Sequence, residues 1–341
     1  MTPGQISARR PEVTREELLA ALVPPPKFSH ARFDNYLPDP AEPTQYAAQQ
    51  NLREFAAAIT LKRGWFNRKV EGRRGRYLDG GFGVGKTHLL AALWFEVDVP
   101  KAFGTFVEFT NLVGVLGFNQ AVEELSKCRL ICIDEFELDD PGDTVLMSTL
   151  LMRLVERGVW LAATSNTLPD RLGEERFAAE DFVREIQGLA AHFDSLRVDG
   201  EDYRHRGLPA APPPASSEAI EFALSNLPPG VAVSTATIDD FDELSHALAQ
   251  LHPSKYSALV RGIDVVGITD VRSITDQAVA LRWVVLADRL YDQETPLLTS
   301  GVPLDQLFAP VLLSCGYRKK YRRAISRLVA LSREGQRLLH G

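Results

Sequence analysis

A chain of 341 residues, 45% hydrophobic and 24% charged, has a globular composition, and at roughly 150 residues per domain it has room for about two units. A formal net charge of -7 disfavours a chain-wide nucleic-acid footprint, which needs clustered Lys and Arg against phosphate. Cys128, Cys132 and Cys315 lack disulfide-framework or zinc spacing, the first 28 residues lack a signal peptide's apolar run, and no stretch of about 18 apolar residues occurs, so a cytoplasmic chain with free thiols and no transmembrane segment is expected.

Residues 1–75 read as an N-terminal extension packing on the core that follows. They carry Pro24-Pro25-Pro26, a Pro/Asp-rich stretch from Pro38 to Pro43, and a helical run from Gln45 to Lys62. That run sets Leu52, Phe55, Ala56 and Ile59 on one face. From 76 to 207, short apolar runs alternate with helical patterns, the arrangement of a parallel sheet between helices in an α/β fold. Strands are expected at Tyr77–Asp79, Thr105–Phe109, Leu130–Ile133, Val159–Thr164 and Ser195–Val198, with helices starting near Lys86, Asn111, Asn119, Asp143 and Glu180. A Pro-rich run from Leu208 to Ser217 opens a linker assigned to 208–230, because proline removes backbone donors and fixes the chain. Residues 231–341 read as a smaller, mainly helical C-terminal domain with helices over Asp239–Leu251, Asp276–Tyr291 and Lys319–His340.

The chemistry concentrates in the 76–207 stretch. Gly80-Gly81-Phe82-Gly83-Val84-Gly85-Lys86-Thr87 fits G-x-x-x-x-G-K-[ST] between a strand and an apolar helix, the context of a P-loop NTPase. Its glycines let backbone N–H groups turn toward phosphate oxygens, and the helix aims its positive end at the same charge. Lys86 would then reach the terminal phosphates of ATP, and Thr87 would offer its hydroxyl to Mg²⁺. Leu130-Ile131-Cys132-Ile133-Asp134-Glu135 is an apolar run delivering two acids to the carboxyl edge of a strand, where ligands bind in open α/β sheets. Asp134 is the Mg²⁺ candidate and Glu135 the group that orients or deprotonates the attacking water. The strand expected at Thr105–Phe109 intervenes between the two motifs, as in the P-loop class that hydrolyses ATP with its own glutamate. Leu161-Ala162-Ala163-Thr164-Ser165-Asn166 ends another strand at that edge, with Asn166 a candidate for holding the water beside the γ-phosphate; its plain alternative is a turn or cap Asn before Pro169.

At this point the residues resemble a known family, the AFG-one-like AAA+ ATPases. The matching stretches are G-R-Y-L-D-G-G-F-G-V-G-K-T-H-L-L, I-D-E-F-E-L-D-D-P-G-D-T-V-L-M, A-A-T-S-N-T-L-P, D-Y-R-H-R at Asp202 to Arg206, R-W-V-V-L-A-D-R-L-Y-D at Arg282 to Asp292, and S-R-L at Ser326 to Leu328. The resemblance implies an AAA+ core with a C-terminal lid, ATP hydrolysis, and a homo-oligomer in which an arginine of one subunit completes the neighbour's site. It further implies a protein partner, which for the family's bacterial member is the tubulin-like division protein at the division site; mitochondrial relatives are linked to protein quality control. Arg184 is the first candidate for the trans-acting arginine and Arg176 the second, since the family's usual position holds Ala179 here. The family's His-rich segment is replaced by Phe109 to Phe118, and the insert after Arg206 is short and Pro-rich. Arg282 is a candidate for a lid arginine touching the γ-phosphate, against a plain surface charge.

The run Arg318-Lys319-Lys320-Tyr321-Arg322-Arg323 reads either as a solvated helix face or as a patch for an acidic tail or nucleic acid. Two functional classes stand beside one another: an ATPase that remodels a protein partner, and a nucleic-acid-associated AAA+ ATPase of the replication-initiator or helicase-loader kind. The second shares G-V-G-K-T-H-L, but the acidic balance and the want of a C-terminal helix-turn-helix pattern count against it.

Overall fold

A computed structural model describes residues 3–61, 73–81, 83–136, 141–166, 188, 190–200, 210–227 and 232–340. The chain divides into one unit formed by Thr14–His205 and another formed by Met1–Val13 together with Arg206–Gly341.

In the first unit the apolar runs become five strands: β1 (Gly75–Asp79), β2 (Lys101–Thr105), β3 (Leu130–Asp134), β4 (Trp160–Ser165) and β5 (Phe193–Arg197). They form one parallel sheet in the order β2-β3-β4-β1-β5. Strands β3 and β4 are buried at every position, as central strands covered on both faces must be. Side-chain alternation divides their residues between two apolar clusters. Leu130, Cys132, Trp160 and Ala162 pack with Leu52, Phe55, Leu89 and Leu90, from α2 (Pro43–Thr60) and α3 (Lys86–Glu96). Ile131, Ile133, Leu161 and Ala163 pack with Phe109, Leu112, Ala121 and Leu150, from α4 (Phe106–Leu116), α5 (Phe118–Leu125) and α6 (Pro141–Glu156). The anticipated stripe of Leu52, Phe55, Ala56 and Ile59 on α2 is fully buried.

One expected strand is displaced. The segment Thr105–Phe109 begins where β2 ends, and its residues start α4 instead. The Thr105 hydroxyl accepts from the Glu108 backbone N–H at 3.3 Å, and the Glu108 carboxylate accepts from the Thr105 N–H at 2.7 Å. This reciprocal cap overrides the β-favouring run Thr-Phe-Val that suggested a strand. In space β2 lies at the sheet edge, so the strand inserted between β1 and β3 is β4.

The second unit contains the three expected helices, observed as α8 (Phe241–Gln250), α10 (Gln277–Asp292) and α11 (Arg318–His340), with α7 (Ser217–Ser225) and α9 (Tyr256–Val260). It also contains a parallel sheet that periodicity did not suggest, β6 (Ala236–Asp240), β7 (Val265–Val271) and β8 (Leu297–Gly301), in that order. Phe241 stacks on Trp283 at 4.8 Å within a core shared by α8, α10 and α11. The N-terminal residues belong to this unit. Gly4 forms a parallel bridge with Thr237, Ile6 and Ser7 each donate a backbone N–H to the Asp239 carboxylate at 2.8 Å, and Arg9 donates to the Leu259 and Arg261 carbonyls at 2.9 Å. Part of the basic run on α11 is internal: Tyr321 is fully buried against Phe308, and Arg323 pairs with Asp288 at 2.9 Å, leaving Arg322 exposed.

Candidate active site

Strand β1 delivers the chain to a turn that requires glycine. At Gly80 a Cβ would stand 2.0 Å from the Val198 carbonyl oxygen, and at Gly85 it would stand 2.5 Å from the Tyr36 ring. Gly83 and Gly85 hold φ of 80° and 90°, left-handed values that side chains disfavour. Gly85 caps α3, so the first free N–H groups of an 11-residue helix lie at the turn. Val84 is fixed from outside: the Tyr36 hydroxyl donates to its carbonyl at 3.0 Å, and its side chain packs where a Cβ on Gly200 would come within 2.7 Å. Phe82 lies outside the described residues.

Lys86 is buried at the start of α3. Its ammonium donates to the Gly80 carbonyl at 2.9 Å, to the Gly81 carbonyl, and to Asn166 Oδ1 at 3.0 Å. Asn166 follows β4, the strand paired with β1, which explains how residues 80 positions apart meet. A cationic amine held by oxygen acceptors at the mouth of a glycine turn suits an anionic ligand.

The next residue, Thr87, donates its hydroxyl to Asp134 Oδ1 at 3.1 Å. The Thr164 hydroxyl donates to the same oxygen and accepts the Glu135 backbone N–H at 3.1 Å. Asp134 is buried, and burial first and the neighbouring Glu135 charge second push its carboxyl up to about 6, against the pull of the two hydroxyls. Glu135 is half-buried with φ of 51°, a left-handed conformation rare outside glycine, Asn and Asp. The structure thus brings together Gly80, Gly81, Lys86, Thr87, Asp134, Glu135 and Asn166 at one edge of the sheet.

The oxygen donors Thr87 and Asp134 suit a hard divalent cation such as Mg²⁺. Among the described residues no three acidic, imidazole or thiol side chains converge on a metal-sized site, so such an ion would take its remaining ligands from phosphate and water. Arg184, Arg176 and Ala179 lie outside the described residues. Arg282 lies on α10 in the second unit, beside Tyr256. Thr164 and Tyr36 went unread in the sequence. Thr164 stands in the polar strand end T-S-N, which is a signal of sorts, but nothing local marks Tyr36 as a partner of the glycine turn.

The family model described as AFG1-like ATPase matches residues 12–337. The chain is 28% identical over 301 residues to the cell division protein ZapE of Escherichia coli K12, covering 76% of this chain and 78% of that one. It is 28% identical over 289 residues to lactation elevated protein 1 homolog B of Danio rerio, covering 69% of this chain and 57% of that one. Among solved structures, domain III of the replication initiation protein DnaA from Thermotoga maritima is similar at 19% identity and a TM-score of 0.40, over 58% of this chain and 80% of that one.

Proposed function

Because the chain belongs to the AFG1-like ATPase family and is an ATPase, we propose that it hydrolyses Mg²⁺-bound ATP at the site of Lys86, Thr87, Asp134, Glu135 and Asn166, and that hydrolysis remodels or regulates a protein partner. One observation carries the reading of the site. The first two residues of α3 bond to two different strand ends, Lys86 to Asn166 at 3.0 Å and Thr87 to Asp134 at 3.1 Å.

In this reading the backbone N–H groups of residues 83–87 hold phosphate oxygens, and Lys86 exchanges its carbonyl acceptors for the terminal phosphates. Thr87 and Asp134 hold Mg²⁺, which when bound offsets phosphate charge. Glu135 orients the attacking water and accepts its proton, while Asn166 holds that water in line with the γ-phosphate. Water and ATP then leave as ADP and inorganic phosphate. Arg184 of a neighbouring copy completes the site in an ATP-bound homo-oligomer, and residues 231–341 act as the lid, with Arg282 reading the γ-phosphate. Similarity to a protein named for cell division supports a partner in that process. Among the described residues no helix is long and apolar enough to cross a membrane. In this reading the protein works in the cytoplasm and is recruited to the division site.

Phosphate release by Lys86→Ala and Glu135→Gln variants tests the site. Both should lose at least about a hundredfold in turnover, with Glu135→Gln still binding ATP. Wild-type turnover in either overturns the assignment. The ATP-holding Glu135→Gln protein should then retain a protein partner that Lys86→Ala does not. Activity stimulated by DNA and lost steeply with salt would replace the protein-partner reading with a nucleic-acid one.

A further inference from the structure

The regular pairing of β3 with β4 runs from Leu130 opposite Trp160 to Ile133 opposite Ala163 and stops there. Beyond it, three consecutive residues of the acidic turn are bonded to Thr164. Asp134 Oδ1 accepts from the Thr164 hydroxyl, Glu135 donates its backbone N–H to that hydroxyl at 3.1 Å, and Phe136 donates its backbone N–H to the Thr164 carbonyl at 2.7 Å. We propose that Thr164 is a positioning residue for hydrolysis, whose hydroxyl holds Glu135 in its left-handed conformation beside Asp134. The proposal rests on the reading of Glu135 as the group that orients water.

The chemistry of one hydroxyl accounts for both bonds. A hydroxyl has a single proton, and an ionised carboxylate is acceptor-only. The Thr164 proton therefore goes to Asp134, and its lone pair is left facing the Glu135 N–H. Thr164 is buried, so neither bond competes with bulk water. A left-handed glutamate persists only where its surroundings enforce it, and such outliers cluster where chemistry is done. The far end of the turn is anchored as well. Phe136 is fully buried and meets Tyr77 and Phe106 edge to face at 6.2 and 5.2 Å. Phe136 thus anchors the far side of the turn, and the Thr164 hydroxyl holds the N–H of the peptide between Asp134 and Glu135. The same strand end supplies Asn166, so β4 positions the acids and meets the lysine within three residues.

Thr164→Val keeps the shape and removes both hydroxyl bonds, whereas Thr164→Ser keeps both. In the full chain, Thr164→Val should lose about ten- to a hundredfold in kcat. KM and the affinity for a fluorescent ATP analogue should stay within about twofold. Thr164→Ser should restore kcat to within about twofold of wild type. Thr164→Val should cost several-fold less in a Glu135→Gln background than in wild type, because the hydroxyl acts mainly through that glutamate, and equal losses in the two backgrounds sink the proposal. Full kcat in Thr164→Val while Glu135→Gln is inactive sinks this proposal alone. A parallel fall of kcat, affinity and melting temperature without rescue by Thr164→Ser marks the threonine as merely structural and also sinks it. Normal turnover by Glu135→Gln removes the reading of Glu135 and this proposal together.

Discussion

Asp134 in the first unit and Asp239 in the second both stand at or near the carboxyl ends of parallel strands, and both are buried, with 7% and 0% of their surface exposed. They are held differently. The Asp239 carboxylate accepts one backbone N–H on each oxygen, from Ile6 and Ser7, so peptide donors of its own chain answer the charge. Asp134 takes two hydroxyls on one oxygen and has the carboxylate of Glu135 beside it. The first charge is answered by peptide donors, and the second stands beside another carboxylate. Burial of an acid therefore says little about its role until its donors and neighbouring charges are named.

The widest gap between the two should come from Asp134→Asn. Hydrolysis should fall about a hundredfold or more. The nucleotide-free protein should nevertheless melt higher at pH 7, by about 1–3 kcal/mol of added stability, because a buried charge repelled by Glu135 is gone. The sign follows from linkage. The folded carboxyl titrates near 6, above its ordinary 3.8, so the native state binds the proton more tightly. This site's contribution is thus fullest below about pH 4 and is lost as the pH rises toward and through about 6. Asparagine should erase that slope between pH 4 and 7 in melts without nucleotide. A lower melting temperature for Asp134→Asn at pH 7 breaks the contrast.

Asp239→Ala should move stability the other way. It strands one buried and one half-buried backbone donor and should cost about 2–5 kcal/mol in denaturant unfolding. An unchanged unfolding midpoint would mean that the N-terminal segment does not depend on this carboxylate. A smaller effect sharpens the view of the first unit. Tyr36→Phe leaves the ring under Gly85 but removes the bond to the Val84 carbonyl, at a cost of about 1 kcal/mol that should show as a few-fold weaker nucleotide affinity. Affinity equal to wild type would show that the glycine turn keeps its form without this hydroxyl.

What could be read from residues alone follows the same division. The glycine turn and the acid pair are local patterns, each legible because backbone chemistry demands those residue types at that spacing. The stripe on α2 and the buried β3 and β4 are legible through periodicity. At Thr105 the T-x-x-E cap competes with an apolar run, and the run looked like a strand when the cap decides the outcome. Strands β6, β7 and β8 are not legible in the sequence because five to seven residues between helices carry little pattern of their own. Thr164 and Tyr36 act across 30 and 48 positions, and no spacing rule reaches that far.

The docking of residues 4–9 on the sheet that begins at Ala236 also bears on how the chain assembles. Ile6 and Asp239 are 233 positions apart, so their meeting closes a loop that runs through the entire ATPase core. The entropy of such a closure grows only with the logarithm of its length, but contacts of large sequence separation are slow to form. Within the core the partners of Gly75 in β4 and β5, Leu161 and Phe193, are 86 and 118 positions away, nearer in sequence than Asp239 is to Ile6. The amides of Ile6 and Ser7 therefore reach their acceptor only by closing a loop far longer than the pairings within either sheet.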